Sequence, residues 1–289
     1  RRTWLLMTMF LLLIIGLGWL VSYILQSSEV LYFAVILAVV MNLVAYWNSD
    51  KIALAMSGAR PVKREDRLEL FRIVENLCIT AGLPMPRVCI IPSMQINAFA
   101  TGRDPKHAAV AVTEGALAKL NKNELEGVIA HELSHIGNRD ILISTVIVVL
   151  AGIITIMADW ALRVSFFGGA RGGDDNNRSA GGLLLIIGLA IVILAPLAST
   201  LIRMAVSRKR EYLADASGIL LTRYPEGLTG ALEKIRDDHN QLRTATNATA
   251  HLFISSPFKG KEKTGWLVKL FNTHPPIEDR IRILRGMRI

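Results

Sequence analysis

The chain has 289 residues, of which 52% are hydrophobic and only 20% charged, and its mean hydropathy is +0.39. An ordinary soluble domain has about 25% charged residues, so this composition excludes a disordered chain, a coiled coil and a disulfide scaffold and points to membrane spans joined to folded aqueous parts. The net charge of +9 fits either a nucleic-acid surface or a basic cytoplasmic membrane face, and two cysteines are too few for a disulfide framework or a four-thiolate zinc site.

Residues 4–25 and 30–47 are uncharged and long enough to cross a bilayer, which needs roughly 20 residues. The first exceeds a signal-peptide core and no small-residue cleavage site follows, so it reads as a retained span. Residues 65–81 place Leu68, Phe71, Ile73, Val74 and Leu77 at helical spacing, and Gly82 and Pro84 stop the helix. Cys78 and Cys89 read as small packed apolar side chains. Residues 87–91 suit a short strand. Residues 96–101 and 108–113 flank a turn-like run and suit a hairpin. Residues 122–138 suit a helix capped by Asn121 or Asn123, running almost directly into a third span at 141–162.

The loop 163–182 is rich in Gly, Asp and Asn and reads as flexible and external. A fourth span follows at 183–202. Its Pro196 is tolerable inside a bilayer when neighbours satisfy the freed carbonyl. Residues 203–222 continue it as a helix, and 225–238 begin another with proline in the first turn. Residues 241–263 show no pattern and are expected to be mobile. Residues 276–285 form a short amphipathic helix.

Thirteen Lys and Arg residues flank the span ends on one side (1, 2, 51, 60, 63, 64, 67, 122, 139, 203, 208, 209, 210), against Arg163, Arg171 and Arg178 on the other. That bias places both termini and both aqueous segments in the cytoplasm. The expected organisation is two spans over 1–47, a catalytic part over 48–140, two spans over 141–202 and a second catalytic part over 203–289. The expected fold is an α-helical integral membrane protein with four spans plus a mainly α, small-β (α+β) cytoplasmic domain.

The strongest chemical signal is His131-Glu132-Leu133-Ser134-His135. On a helix, positions i and i+4 share a face, so both imidazoles can hold one zinc ion with Glu132 beside it as a base. A catalytic zinc takes three protein ligands and keeps one position open. His251 and His274 are candidates for the third. Glu211 is better placed, because it follows the fourth span about as closely as His135 precedes the third. Asp215 shares the face of Glu211 and suits a carboxylate that accepts the second N–H of a ligand histidine.

These residues, with 207–215, the strand Asn97, Ala98, Phe99, Ala100, Thr101 and Gly102, and Thr273-His274-Pro275-Pro276 with Arg280, resemble the HtpX family of membrane-bound zinc metallopeptidases. The group also includes the eukaryotic CaaX prenyl proteases. The resemblance covers nearly the whole chain and is weakest at 163–182 and 241–263. It implies a zincin-like metalloprotease domain with one Zn²⁺ held by His131, His135 and Glu211, and Glu132 as catalytic base. It makes residues 97–102 the edge strand that receives an extended substrate, and puts His274 near the oxyanion. Arg208 would orient Glu211 or serve only as solvated basic surface. The resemblance further implies cleavage of misfolded or damaged membrane proteins at the cytoplasmic face of a bacterial inner membrane, as quality control under stress.

A membrane scaffold or transport component with a non-catalytic metal site is the rival reading. Polar residues in the spans, Thr8, Asn42, Ser144 and Thr155 among them, are few and form no obvious ion path, which disfavours transport. The basic residues cluster at span ends without a recognition motif. They suit anionic lipid heads better than nucleic acid.

Overall fold

The computed structural model describes residues 2–150, 208–242, 244–246, 249–258 and 275–287. The expected fourth span, most of the third, the loop 163–182 and His274 lie outside them. The chain divides into two compact units, one of residues 1–47 and 149–201, the other of 48–148 and 202–289.

In the first unit, helices α1 (Arg2–Leu25) and α2 (Ser28–Met56, whose end belongs to the second unit) form an antiparallel hairpin. Gln26 makes the turn with φ of 52°. Gly18 permits the close approach, since a Cβ there would stand 2.1 Å from the Ala34 Cβ. Trp4 stacks on Tyr46 with ring centroids 5.8 Å apart, and Trp19 on Tyr23 at 6.0 Å. Aromatic rings therefore gather at two levels, Trp4, Tyr46 and Trp47 at one and Trp19, Tyr23 and Tyr32 at the other. Fifteen residues of helix between Trp4 and Trp19 separate the levels by about 22 Å. Between them Leu12, Ile36 and Leu43 are exposed. Asn42 donates its side-chain N–H to the Ala38 carbonyl within its own helix at 2.9 Å. Among the described residues, 31–56 form one helix long and apolar enough to cross a membrane, with mean hydropathy 1.8.

The second unit packs a four-stranded sheet against helices. Its elements are β1 (Arg60–Pro61), α3 (Leu68–Ala81), β2 (Arg87–Ile91), β3 (Ala98–Gly102), β4 (Ala108–Thr113), α4 (Glu114–Lys119), α5 (Lys122–Gly137), α6 (from Ile141, described to Leu150), α7 (Arg208–Thr222), α8 (Pro225–Asp237) and α9 (Ile277–Arg285). The sheet order is β1-β2-β4-β3, with β2 parallel to β4 and the other pairs antiparallel. The β3–β4 hairpin pairs Ala98 with Val112 and Gly102 with Ala108, and β3 lies at the edge. The core joins Leu70, Val74 and Leu77 of α3, Val110 and Val112 of β4, Val128, Ile129 and Leu133 of α5 and Leu232 of α8. Both cysteines are buried in apolar surroundings, and burial pushes the Cys78 thiol up to about 11.

Two expectations need correction. Helix α5 does not run on into the third span, because its axis meets α6 at 87°. The chain turns at Arg139, a non-glycine residue in the left-handed region with φ of 57°, while the Asp140 N–H closes onto the His135 carbonyl. Residues 249–258 are not a mobile patternless loop. They contain a 3₁₀ turn, Ala250–Leu252, and Phe253 and Ile254 are buried against β3. Too few apolar residues stand in a row there to show a period, yet they suffice to fix the segment.

Candidate metal centre

Helix α5 starts at a capping box. Asn121 accepts from the Glu124 N–H at 2.9 Å, and the Glu124 carboxylate accepts from the Asn121 N–H at 2.8 Å. Leu125, Val128, Ile129, Leu133 and Ile136 bury one side of the helix. His131 and Glu132 are buried with them, and His135 is half-buried.

Helix α7 lies against α5 because its buried stripe is Glu211, Ala214, Asp215, Gly218 and Ile219, the i, i+3, i+4, i+7 spacing of one helix face. Gly218 sets the separation. A Cβ there would stand 3.0 Å from the His131 backbone nitrogen. Two turns toward the N-terminus of α7, Glu211 therefore meets the two histidines.

The Nε2 atoms of His131 and His135 are 3.3 Å apart. Glu211 places one carboxylate oxygen 3.9 Å from His131 Nε2 and the other 3.6 Å from His135 Nε2. Ligands held tetrahedrally at zinc–nitrogen and zinc–oxygen bond lengths stand about 3.3 Å from one another. The three side chains thus offer two imidazole nitrogens and a carboxylate oxygen at the spacing a single zinc ion needs, and the donor set is that of a catalytic site.

Behind each histidine stands a carboxylate. His131 Nδ1 donates to Asp215 at 2.9 Å, which leaves the lone pair on Nε2. Arg280, fully buried, grips the same Asp215 with two hydrogen bonds of 2.9 and 2.6 Å. Burial alone would raise the Asp215 carboxyl, but the Arg280 charge and the His131 bond outweigh it and hold it well below the usual carboxylate range. His135 Nδ1 faces Asp140 at 3.6 Å, and Arg210 approaches Asp140 at 3.5 Å. Burial opposes the charged His135 ring, yet Asp140, Glu211 and Glu132 prevail and raise its pKa to about 9.

Glu132 is buried beside these three residues and accepts a hydrogen bond from the backbone N–H of Ala100 on β3. Burial pushes its carboxyl above the usual carboxylate range, against the pull of the His131 and His135 charges. The cavity over the cluster measures about 30 Å³ and is lined by Ala100, Glu132, His135, Glu211, Phe253 and Ile254 among others.

The structure thus brings together His131, Glu132, His135, Glu211, Asp215 and Ala100. Arg208 is exposed at the start of α7, and the arginines that stand in the site are Arg210 and Arg280. Asn97 is buried and bonds Gln95 and Ser255. Phe99 lies in the core, and Thr101 bonds Thr145. Sequence reasoning missed the site roles of Arg280 and Asp140, and the structure leaves His251, one of its candidate third ligands, out of the cluster of His131, His135 and Glu211. A signal existed for Arg280, which occupies the apolar stripe of α9 with Ile281 and Leu284. His251 lines the same cavity, and its Nε2 meets the Ser144 carbonyl at 3.3 Å.

The profile of Peptidase family M48 matches residues 64–288, a stretch that holds every one of these side chains. The chain belongs to this family. It is a membrane-associated metalloprotease. It is 47% identical over 289 residues to the "Protease HtpX homolog" of Thermoanaerobacter pseudethanolicus, covering 99% of this chain and 95% of the relative. The protein of the same description from Pyrococcus furiosus is 48% identical over 287 residues, with 98% and 94% covered. Among solved structures, the crystal structure of S. mikatae Ste24p matches with a TM-score of 0.50 at 19% identity. The match covers 93% of this chain and 62% of that one, and the likeness is one of fold.

Proposed function

We propose that this metalloprotease is a zinc-dependent endopeptidase that cleaves misfolded or damaged membrane proteins at the cytoplasmic face of a bacterial inner membrane. The observation that carries the reading is the placement of Glu132 between a three-ligand cluster and the edge strand. One carboxylate takes a hydrogen bond from the backbone that would align a peptide and lines one cavity with the residues that would hold the ion.

His131, His135 and Glu211 hold the metal. When bound, zinc polarises the scissile carbonyl and lowers the pKa of water in the site. Asp215 and Arg280 lock the ring of His131, and Asp140 supports His135. Glu132 takes the proton of the attacking water onto its carboxylate and returns it to the leaving amine. The outward edge of β3, Ala98 to Gly102, aligns an extended substrate by main-chain hydrogen bonds, which give affinity without strict choice of sequence. Asn97 holds the start of that strand. His274, on the family pattern, steadies the oxyanion of the tetrahedral intermediate.

The two aromatic levels of the first unit, with apolar side chains exposed between them, suit a hairpin seated in lipid. With the basic bias at the span ends, they support a multi-pass protein with both termini and the active site cytoplasmic. Residues 141–202 would supply the other two spans, and 48–140 with 203–289 the catalytic domain.

The test uses purified full-length protein, zinc analysis and casein as an unfolded substrate. Wild type should cleave, and Glu132→Gln should keep its zinc and lose cleavage. Cleavage retained by Glu132→Gln would overturn the base assignment. Normal zinc content in all of His131→Ala, His135→Ala and Glu211→Ala would overturn the ligand set.

A further inference from the structure

In an antiparallel edge strand, every second residue turns its N–H and C=O away from the partner strand. On β3 these are Ala98, Ala100 and Gly102. Their outward groups are already engaged by the protein itself. The Ala98 carbonyl accepts from the Ile254 N–H at 3.0 Å. The Ala100 N–H is held by Glu132, and the Gly102 N–H donates to Thr145 Oγ1 at 3.2 Å.

The segment that takes Ala98 is residues 252–255, which leaves the 3₁₀ turn at Leu252 and lies along the edge of β3, joined to it by this one backbone bond. Its next residue, Ser255, accepts from Asn97 Nδ2 at 3.1 Å and donates its N–H to Asn97 Oδ1 at 3.4 Å. Passing from Ile254 to Ser255 thus matches passing back from Ala98 to Asn97, so the segment runs antiparallel to β3. Phe253 packs edge-on against Phe99 with ring centroids 5.1 Å apart. The Ile254 carbonyl accepts from Arg280 at 3.2 Å, which ties the segment to the same guanidinium that locks Asp215. Leu252, Phe253 and Ile254 also wall the cavity over the metal ligands. A cavity of about 30 Å³ exceeds the roughly 10–15 Å³ one water needs, but it is far too small for a peptide.

We propose that residues 252–255 are a strap that occupies the substrate's place on β3 and must be exchanged for the substrate backbone before cleavage. The proposal rests on the peptidase reading above and adds regulation to it. An incoming chain takes over the Ala98 carbonyl from Ile254, and the departing strap uncovers the cavity. Only a polypeptide already free to run extended can compete for that bond. A folded protein, whose backbone groups are paired internally, cannot. The strap thus selects unfolded chain segments without reading their side chains.

Ile254→Pro tests it, because proline removes the one N–H that holds Ala98. Phe253, with φ of −73° and ψ of 145°, already has the extended backbone that a following proline requires. Ile254→Val keeps the N–H and controls for the side chain. In metal-loaded full-length protein, Ile254→Pro should raise kcat/KM for casein by roughly 2- to 10-fold over wild type and Ile254→Val, the worth of one net hydrogen bond in a closed-to-open equilibrium.

The second arm is hydrogen exchange on zinc-loaded Glu132→Gln with and without casein, which does not depend on how the proline variant folds. Amides of residues 252–255 should exchange faster when casein is added. Unchanged or slower exchange there, or an Ile254→Pro variant with full zinc that cleaves no faster, overturns the strap. Wild type that does not cleave casein, with no exchange response to casein in Glu132→Gln, overturns the peptidase reading and the strap together. Cleavage without opening overturns the strap alone.

Discussion

Asp215 joins two buried side chains: its carboxylate takes the Nδ1–H of His131 at 2.9 Å and the guanidinium of Arg280 at 2.6 Å. Its first duty is to the histidine. Asp215→Asn keeps the volume but weakens the acceptor that fixes the ring, and such partners typically carry 10- to 100-fold in metal affinity. Zinc affinity in Asp215→Asn should fall by about that factor, as read by chelator competition.

Its second duty is to Arg280. Removing one partner of a buried ion pair strands the other, at a cost of about 3–5 kcal/mol. Asp215→Asn should therefore lose thermal stability, and the double variant Asp215→Asn, Arg280→Met should recover much of it. Additive losses in the double variant would show that the two residues are not coupled.

The raised pKa of His135 makes zinc and protons competitors. In the metal-free protein the ring is charged below about pH 9, whereas a ligand histidine must be neutral. Loading zinc at pH 7 should release about one proton from this residue, and apparent affinity should drop about tenfold per pH unit below pH 9. Calorimetry in buffers of different ionisation heat measures the proton count. Zero release would disprove the competition.

Asp238 ties α8 to the start of β3. Burial works against its charge, but the Ile96 N–H at 2.6 Å, Asn240 and Lys119 outweigh it and lower its pKa. A lowered carboxyl stabilises the fold above its unfolded pKa and loses that contribution as pH falls through the folded one. The melting-temperature gap between wild type and Asp238→Asn should be full at pH 7 and shrink as pH falls below about 4. A gap that is constant from pH 7 to pH 3 would refute the assignment.

Gly218 sets the distance between the two ligand helices. Its substitution by alanine puts a methyl group 3.0 Å from the His131 nitrogen. Overpacking of this kind costs about 1–3 kcal/mol. Gly218→Ala should melt earlier and bind zinc more weakly, because moving α7 outward carries Glu211 from the histidines. Unchanged zinc affinity would show that Glu211 is positioned by something else.

Local patterns were legible in the sequence. The His131/His135 pair follows from helical spacing alone, and α3, β2, β4 and α8 follow from periodicity and stop signals within a few residues of their observed bounds. The acidic residues at 211 and 215 share a face for the same reason, so the support of His131 by Asp215 could be read in advance. These features depend on neighbours along one element, and the chain's repeat distances determine them.

Contacts between distant segments were decided only by the tertiary structure. The 87° bend after Gly137 comes from one left-handed residue, Arg139, which no pattern announces. Arg280 reaches Asp215 across 65 residues, and Ile254 reaches Ala98 across a still longer stretch. Buried charges pair, and edge strands take backbone partners, wherever packing brings them. The sequence by itself determined which residues could bind the metal and which helix would carry the motif. Packing, through the close approach at Gly218 and the bond from Ile254 to Ala98, decided how those residues meet and what lies across the site they form.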